Sequence, residues 1–281
     1  MMPVLATRHR IFSEEPRMRI IDPHIHMQSR TTDDYRLMAE TGIAAVCEPA
    51  FWPGADRKYA QSHLDYFNIL TTFEPVRAAK RGILHYTFLG VNPKESENVE
   101  LAEEVLAGID EYLARPTVLG IGEIGLNKNT ENEVRMLRRQ LAMAAERKIL
   151  CVIHTPHGDA KLRGTEIIAD VVGEVDPPRN LVVIDHCTAK TLQVARATGC
   201  WTGLTVYPGK LSPEEAAILI RDRGPERILV NSSADWEDSD PLAVLVTIGV
   251  MREMFLPESL IERVVWHNPR EFLGQNPKFK V

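Results

Sequence analysis

Short apolar segments recur along the chain, each followed by a charged stretch whose apolar positions repeat at three- and four-residue spacing. Eight of these segments read as strands: Ile20 to His26, Ile43 to Ala50, Ile83 to Val91, Val118 to Leu126, Ile149 to Thr155, Leu181 to Cys187, Trp201 to Tyr207 and Ile228 to Asp235. Between and after them the periodicity predicts helices over Thr32 to Glu40, Arg57 to Lys80, Val99 to Ala114, Glu131 to Arg147, Thr165 to Val175, Ala189 to Ala197, Pro213 to Arg221 and Pro241 to Met254. Regular alternation of strand and helix implies parallel pairing through right-handed crossovers. Eight units is the number that closes a barrel. The pattern therefore predicts an α/β chain built as a single-domain (β/α)8 TIM barrel over residues 20–281, preceded by an N-terminal extension, 1–19. An open doubly wound sheet is disfavoured, because His24, Ile25 and His26 stand where a Gly-x-Gly-x-x-Gly fingerprint would follow the first strand.

Polar residues break this apolar pattern at the strand ends. Strands of a parallel barrel are covered on both faces, so an ionisable side chain at a strand's C-terminal end is costly unless it points into a functional mouth. Five segments carry such residues: Asp22-Pro-His24-Ile-His26, Gly122-Glu123-Ile-Gly125, Val152-Ile-His154, Ile184-Asp185-His186 and Ser233-Ala-Asp235. Alternation along the first strand puts Asp22, His24 and His26 on one face, so two imidazoles can grip one ion. A lone His in such a place is ordinarily a hydrogen-bonded core residue. Ligand-type side chains at five equivalent strand ends instead point to a metal site made by His24, His26, Glu123, His154, His186 and Asp235. Four neutral imidazoles and two carboxylates suit two divalent transition ions, with Glu123 placed to bridge them. Asp185 alternates with His186 and is expected to face the helix layer, hydrogen-bonded to backbone.

Composition narrows the rest. A length of 281 residues admits two domains, but ligands spread from His24 to Asp235 leave no cut with a complete site on one side. A hydrophobic fraction of 44% provides for a sizeable core. The longest apolar run, Leu242 to Met251, is too short for a membrane span. The net charge of -6 does not favour nonspecific attraction to nucleic acid. Cys47, Cys151, Cys187 and Cys200 show no Cys-x-x-Cys spacing and read as reduced core residues, which implies a cytoplasmic location.

The same residues resemble the amidohydrolase superfamily and, within it, the TatD-like metal-dependent hydrolases. The resemblance runs from about Ile20 to Gly274 and includes the closing Asn268-Pro-Arg-Glu-Phe-Leu273, which is similar to the short terminal helix of that branch. Many amidohydrolases place a carboxylated Lys on strand four, whereas Glu123 in Gly-Glu-Ile-Gly looks like the TatD branch. Departures are present. His154 is followed by Thr155-Pro156-His157, strand two ends Cys47-Glu48-Pro49-Ala50-Phe51-Trp52, and Asp235 stands in Asn231-Ser-Ser-Ala-Asp-Trp rather than a Glu-Thr-Asp run. This combination resembles a TatD-related subgroup distinct from the DNA exonucleases.

The resemblance implies that His24, His26, Glu123 and Asp235 hold a more buried ion, and Glu123, His154 and His186 a more exposed one, the metals being Zn, Mn, Fe or Mg. It also implies that Asp235 serves as base and that the catalytic pair is Asp235 and Glu123. The expected reaction is hydrolysis of a phosphoester, or of a lactone or amide, in a small metabolite. The alternatives are a TatD-type DNA 3'-5' exonuclease and a non-catalytic metal-binding carrier or scaffold. Substrate contacts are sought in Glu48, His85, His157, Trp52, Tyr207 and Trp236. Glu48 is either a ligand or substrate contact or one half of an ion pair with Arg or Lys. His85 faces the mouth or the core, and His157 grips a phosphate or lies in solvent. Tyr207 and the two tryptophans wall a pocket or pack against helices.

Overall fold

Strands pair in chain order in the computed structural model, which describes residues 18–281. They are β1 (Ile20–Asp22), β2 (Ile43–Pro49), β3 (Leu84–Leu89), β4 (Val118–Gly125), β5 (Leu150–His154), β6 (Val182–Asp185), β7 (Trp201–Thr205) and β8 (Ile228–Asn231). All seven ladders from β1–β2 to β7–β8 are parallel, with helices between them, and the result is a nearly closed (β/α)8 barrel. Of the expected extension, 1–19, only Met18 and Arg19 fall within the described residues.

The helices follow the periodicity, and local chemistry explains the differences. Thr32–Glu40 and Glu131–Arg147 form as expected, the second capped by Thr130, whose side chain accepts from Glu133 N at 3.2 Å. The single helix expected over Arg57 to Lys80 divides into Ala60–Asn68, a π-helical turn Ile69–Phe73, and Glu74–Ala79. Pro75 lacks the N–H an unbroken helix needs there, and the ladder re-registers just before it.

Several strands stop short of their apolar segments because the polar residues beyond them leave the ladder. His186 (φ 58°) and Ser233 (φ 46°) both take left-handed backbone immediately past, or close to, the ends of β6 and β8. The seam between β8 and β1 is stitched in this region. Ser233 N donates to His24 O (2.7 Å), His26 N donates to Ala234 O (2.9 Å), and Ser232 Oγ donates to Asp22 Oδ2 (2.6 Å). Burial raises the Asp22 carboxyl to about 7 against the lowering effect of these hydrogen bonds.

The C-terminal segment crosses the opposite end of the barrel. Asn268 Nδ2 donates to Pro225 O and Ile228 O, both at 2.7 Å, Asn276 Nδ2 donates to Leu119 O (2.7 Å), and Lys280 N donates to Tyr86 Oη (2.9 Å). Phe272 and Leu273 are buried, Phe272 against Trp201 with ring centroids 5.7 Å apart. One mouth is thereby sealed, and the other is left for chemistry. The four cysteines are free and buried, and no helix among the described residues is long and apolar enough to cross a membrane.

Candidate metal centre

Glu123 is the focus of the open mouth. Its Oε1 lies 2.8 Å from His154 Nδ1, 3.0 Å from His186 Nε2 and 3.6 Å from His24 Nε2, and Asn92 Nδ2 donates to its Oε2 at 3.4 Å. His24 Nε2 is in turn 3.1 Å from His26 Nε2. The strand that presents Glu123 is glycine-rich for a steric reason: a Cβ on Gly125 would meet His154 O at 2.2 Å.

Two groups of ligand atoms share Glu123, His24 with His26 and Glu123, and Glu123 with His154 and His186, and a third joins His24, Asp185 and His186, each group lying within 4.8 Å. The carboxylate common to the first two is where the sequence puts a bridge. Five of the six expected metal ligands therefore converge, from β4, β5 and the segments following β1 and β6.

Asp185 corrects one expectation. Instead of facing the helix layer it faces the barrel interior, where Oδ2 lies 2.5 Å from His24 Nδ1 and Oδ1 accepts from His186 N (2.7 Å), Thr205 Oγ1 (3.2 Å) and Asn231 Nδ2 (3.0 Å). Gly203 makes the room, since a Cβ there would come within 1.9 Å of Oδ1. The alternation argument fails because His186 leaves the strand in left-handed backbone, so neighbouring side chains both reach the site.

These outer contacts prepare the rings as ligands. The Asp185 carboxylate holds the proton of His24 on Nδ1, and Thr205 Oγ1, 2.7 Å from His186 Nδ1, does the same for that ring. With the proton held at Nδ1, Nε2 of each ring is the atom available as a ligand, 3.6 Å (His24) and 3.0 Å (His186) from Glu123 Oε1. Burial holds His26 and His186 well below the usual imidazole range and lowers His154, so these rings are neutral donors. His24 moves the other way, because Glu123 and Asp185 outweigh its burial. His154 and His24 hold Glu123 well below the carboxylate range despite its burial. Neutral nitrogens around an ionised carboxylate are a donor set suited to divalent transition ions.

Asp235 lies apart from this cluster. β8 ends at Asn231, four positions earlier, and the chain has turned at Ser233, so Asp235 comes from the loop. It lines the same cavity, but Oδ1 accepts from Tyr207 Oη and from Glu237 N, both at 2.9 Å. Arg30 fixes that loop by donating from Nη1 to Asp235 O (2.7 Å) and Ser239 O (3.1 Å). Nearer the strand end the cavity is lined by Ser233.

The cavity measures about 410 Å³ and is lined by Trp52, Tyr207, Trp236 and His157 among the expected substrate contacts. Phe51 stacks on His26 at 4.0 Å and meets Trp236 at 5.0 Å, forming an aromatic wall. Glu48 and His85 are not in the lining. Glu48 Oε2 lies 2.7 Å from His85 Nε2, and Glu48 Oε1 accepts from Gln28 N at 2.7 Å. Both are buried against Glu74 of the helix layer. Of the alternatives open for these two, the structure takes the interior one, away from the cavity, and the partner of Glu48 is a histidine rather than Arg or Lys. Asn92, Lys210 and Ser233 enter the site without having been expected from the sequence; their only signal was a position just beyond a strand's C-terminal end.

The family description "TatD related DNase" matches residues 21–272. An uncharacterized metal-dependent hydrolase of Methanocaldococcus jannaschii is 30% identical over 255 residues, covering 90% of this chain and 99% of the relative. A TatD-like protein from Archaeoglobus fulgidus has a solved structure with a TM-score of 0.74 and 31% identity, covering 90% of this chain and 99% of that one. The Escherichia coli phosphotriesterase homology protein, solved with phosphate in its active site, shares the fold with a TM-score of 0.65 at 16% identity, covering 92% of this chain and 99% of that one. With its barrel, its ligand clusters and these matches, the chain belongs to the TatD-related family of metal-dependent hydrolases.

Proposed function

We propose that the protein hydrolyses a phosphoester in a small metabolite at a binuclear metal centre. The observation that carries this reading is the convergence of four imidazoles on the single carboxylate of Glu123 inside a cavity of about 410 Å³. His24, His26 and Glu123 would hold one ion and Glu123, His154 and His186 the other, while Asp235 lines the same cavity outside both groups. Divalent ions held there lower the pKa of a bound water and polarise a phosphoryl or carbonyl oxygen.

The chain's own residues do the rest. Asp235 accepts the water's proton and returns it to the leaving group, while Tyr207 and Arg30 fix its loop. Trp52 and Trp236 present apolar surface to the substrate's body, and His157 stands at the rim beside His154, their centroids 5.0 Å apart. A DNA exonuclease is the second reading, supported by the DNase description of the family. It requires single-stranded DNA to be a better substrate than small phosphoesters.

The test is metal analysis of protein purified without chelator, followed by turnover of phosphomonoesters, phosphodiesters, lactones and single-stranded DNA. Two metal equivalents and turnover of a small phosphoester are expected. Less than one equivalent under every supplement would remove the binuclear centre. Preference for DNA would select the nuclease. Metal binding without any turnover would leave a carrier or scaffold. Asp235→Asn should keep the metal while lowering turnover by about 10²- to 10⁴-fold; full activity in that variant would remove the base.

A further inference from the structure

The lysines around the mouth differ in what they have to bond to. Lys161 Nζ is used within the protein, donating to Thr155 Oγ1 at 3.0 Å and His186 O at 2.8 Å. Lys94 is exposed and lies over the Trp52 ring, 4.0 Å from its centroid. Lys210 is different. It lines the cavity, half-buried, with Nζ 3.3 Å from Ser233 Oγ, 3.4 Å from His186 Nδ1 and 4.5 Å from the Tyr207 ring centroid. No carboxylate lies within salt-bridge distance of it among the described residues.

Those contacts leave the ammonium short of acceptors. Nδ1 of His186 already faces Thr205 Oγ1 at 2.7 Å, and when Nε2 serves as a ligand Nδ1 carries the ring's proton and accepts nothing. Of three N–H donors on Lys210, one then has Ser233 and the other two point at the cavity or at a π face. A cation withdrawn from water is stabilised by an anion; Glu123, Asp185 and Asp235 act on Lys210 through space, and none of the described residues brings a carboxylate into contact with it.

We propose that Lys210, with Ser233 beside it, is a subsite for an oxyanion carried by the substrate, a phosphate or a carboxylate. The assignment rests on the reading of the cavity as a hydrolase site with His186 as a ligand, and it adds that the substrate enters as an anion. Neutral lactones and amides are then poor substrates for this site.

Titration calorimetry of the full-length chain with inorganic phosphate and, separately, benzoate tests the subsite, using protein as purified and again after chelator treatment. The second arm removes direct metal–anion contacts, so a loss of the metal reading and a loss of the subsite are told apart. Lys210→Met should weaken binding of the preferred anion about 10- to 100-fold in both arms, with metal content unchanged in the first. Lys210→Arg should stay within about threefold of the parent, since it keeps the charge. Whichever of the two anions loses affinity identifies the source. If Lys210→Met does not fold, Lys210→Gln replaces it with the same expectation. Unchanged affinity in the neutral variants, or no binding of either anion by the parent chain, would overturn the proposal.

Discussion

Two buried clusters of this barrel use nearly the same ingredients and come to opposite ends. One joins Glu123 to His24, His26, His154 and His186; the other joins Glu48 and Glu74 to His85. In the second, the protein closes its own account of charge. Arg77 Nη2 lies 2.8 Å from Glu74 Oε2, Tyr35 Oη donates to the same oxygen at 3.1 Å, and Gln28 N donates to Glu48 at 2.7 Å. Arg77 also donates to Met27 O and, at 3.0 Å, to Arg30 O, so this cluster anchors the turn that follows His26. Among the described residues the Glu123 cluster meets no guanidinium, and it opens on a cavity. A carboxylate–imidazole group is structural where the fold supplies the cation, and a candidate metal centre where it leaves that cation to come from outside.

The largest expected break in this comparison is Glu123→Gln. It should lose bound metal, read by elemental analysis, and lower hydrolysis by roughly 10³-fold, within the range for loss of a principal catalytic group. Glu48→Gln should leave metal content intact. Next comes Arg77→Met, which strands the buried Glu74 carboxylate and should cost about 3 kcal/mol in urea unfolding while metal stoichiometry at saturation is kept. Asp185→Asn sits between the two regimes: the fold survives, but the tautomer of His24 is no longer enforced, and metal affinity should drop about 10- to 100-fold by competition titration.

The smallest effect is one of sign. Burial raises the Glu48 carboxyl, whereas His154 and His24 lower that of Glu123 despite its burial. A depressed carboxyl contributes stability that is present above its unfolded pKa and lost as pH falls through its folded value. A raised one does the reverse, with stability declining as pH climbs from the unfolded value toward the folded one. In metal-free protein, Glu48→Gln should therefore compare better with the parent at neutral pH than at pH about 4.5, and Glu123→Gln worse. Parallel pH profiles for the two variants would erase the distinction.

The fold was legible because eight apolar segments are spaced for strands with helices between them, a signal summed over the whole chain. His24, His26, Glu123, His154 and His186 were legible because ligand-type side chains recur at one place in that repeat. Asp185 was misassigned, while Glu48 and His85 were left between mouth and interior, and one limit of the pattern accounts for all three. Alternation sorts residues onto two faces but does not say which is the interior, and it lapses where the backbone turns left-handed, as at His186. Lys210 was hidden differently: a lysine in a Pro-Gly-Lys loop looks like solvated surface until the loop folds back over the mouth.

The β8–β1 seam has a consequence for how the protein is made. Ser233 N and His24 O are joined across most of the chain, as are Ser232 and Asp22, which lie 210 residues apart. Contacts of such separation form late. During synthesis His24 and His26 emerge early, yet the turn that aims them awaits a partner translated near the end. A chain cut short before β8 would carry all four imidazoles and Glu123 but lack Ser232, Ser233 and Ala234, the partners that hold Asp22, His24 and His26 in place.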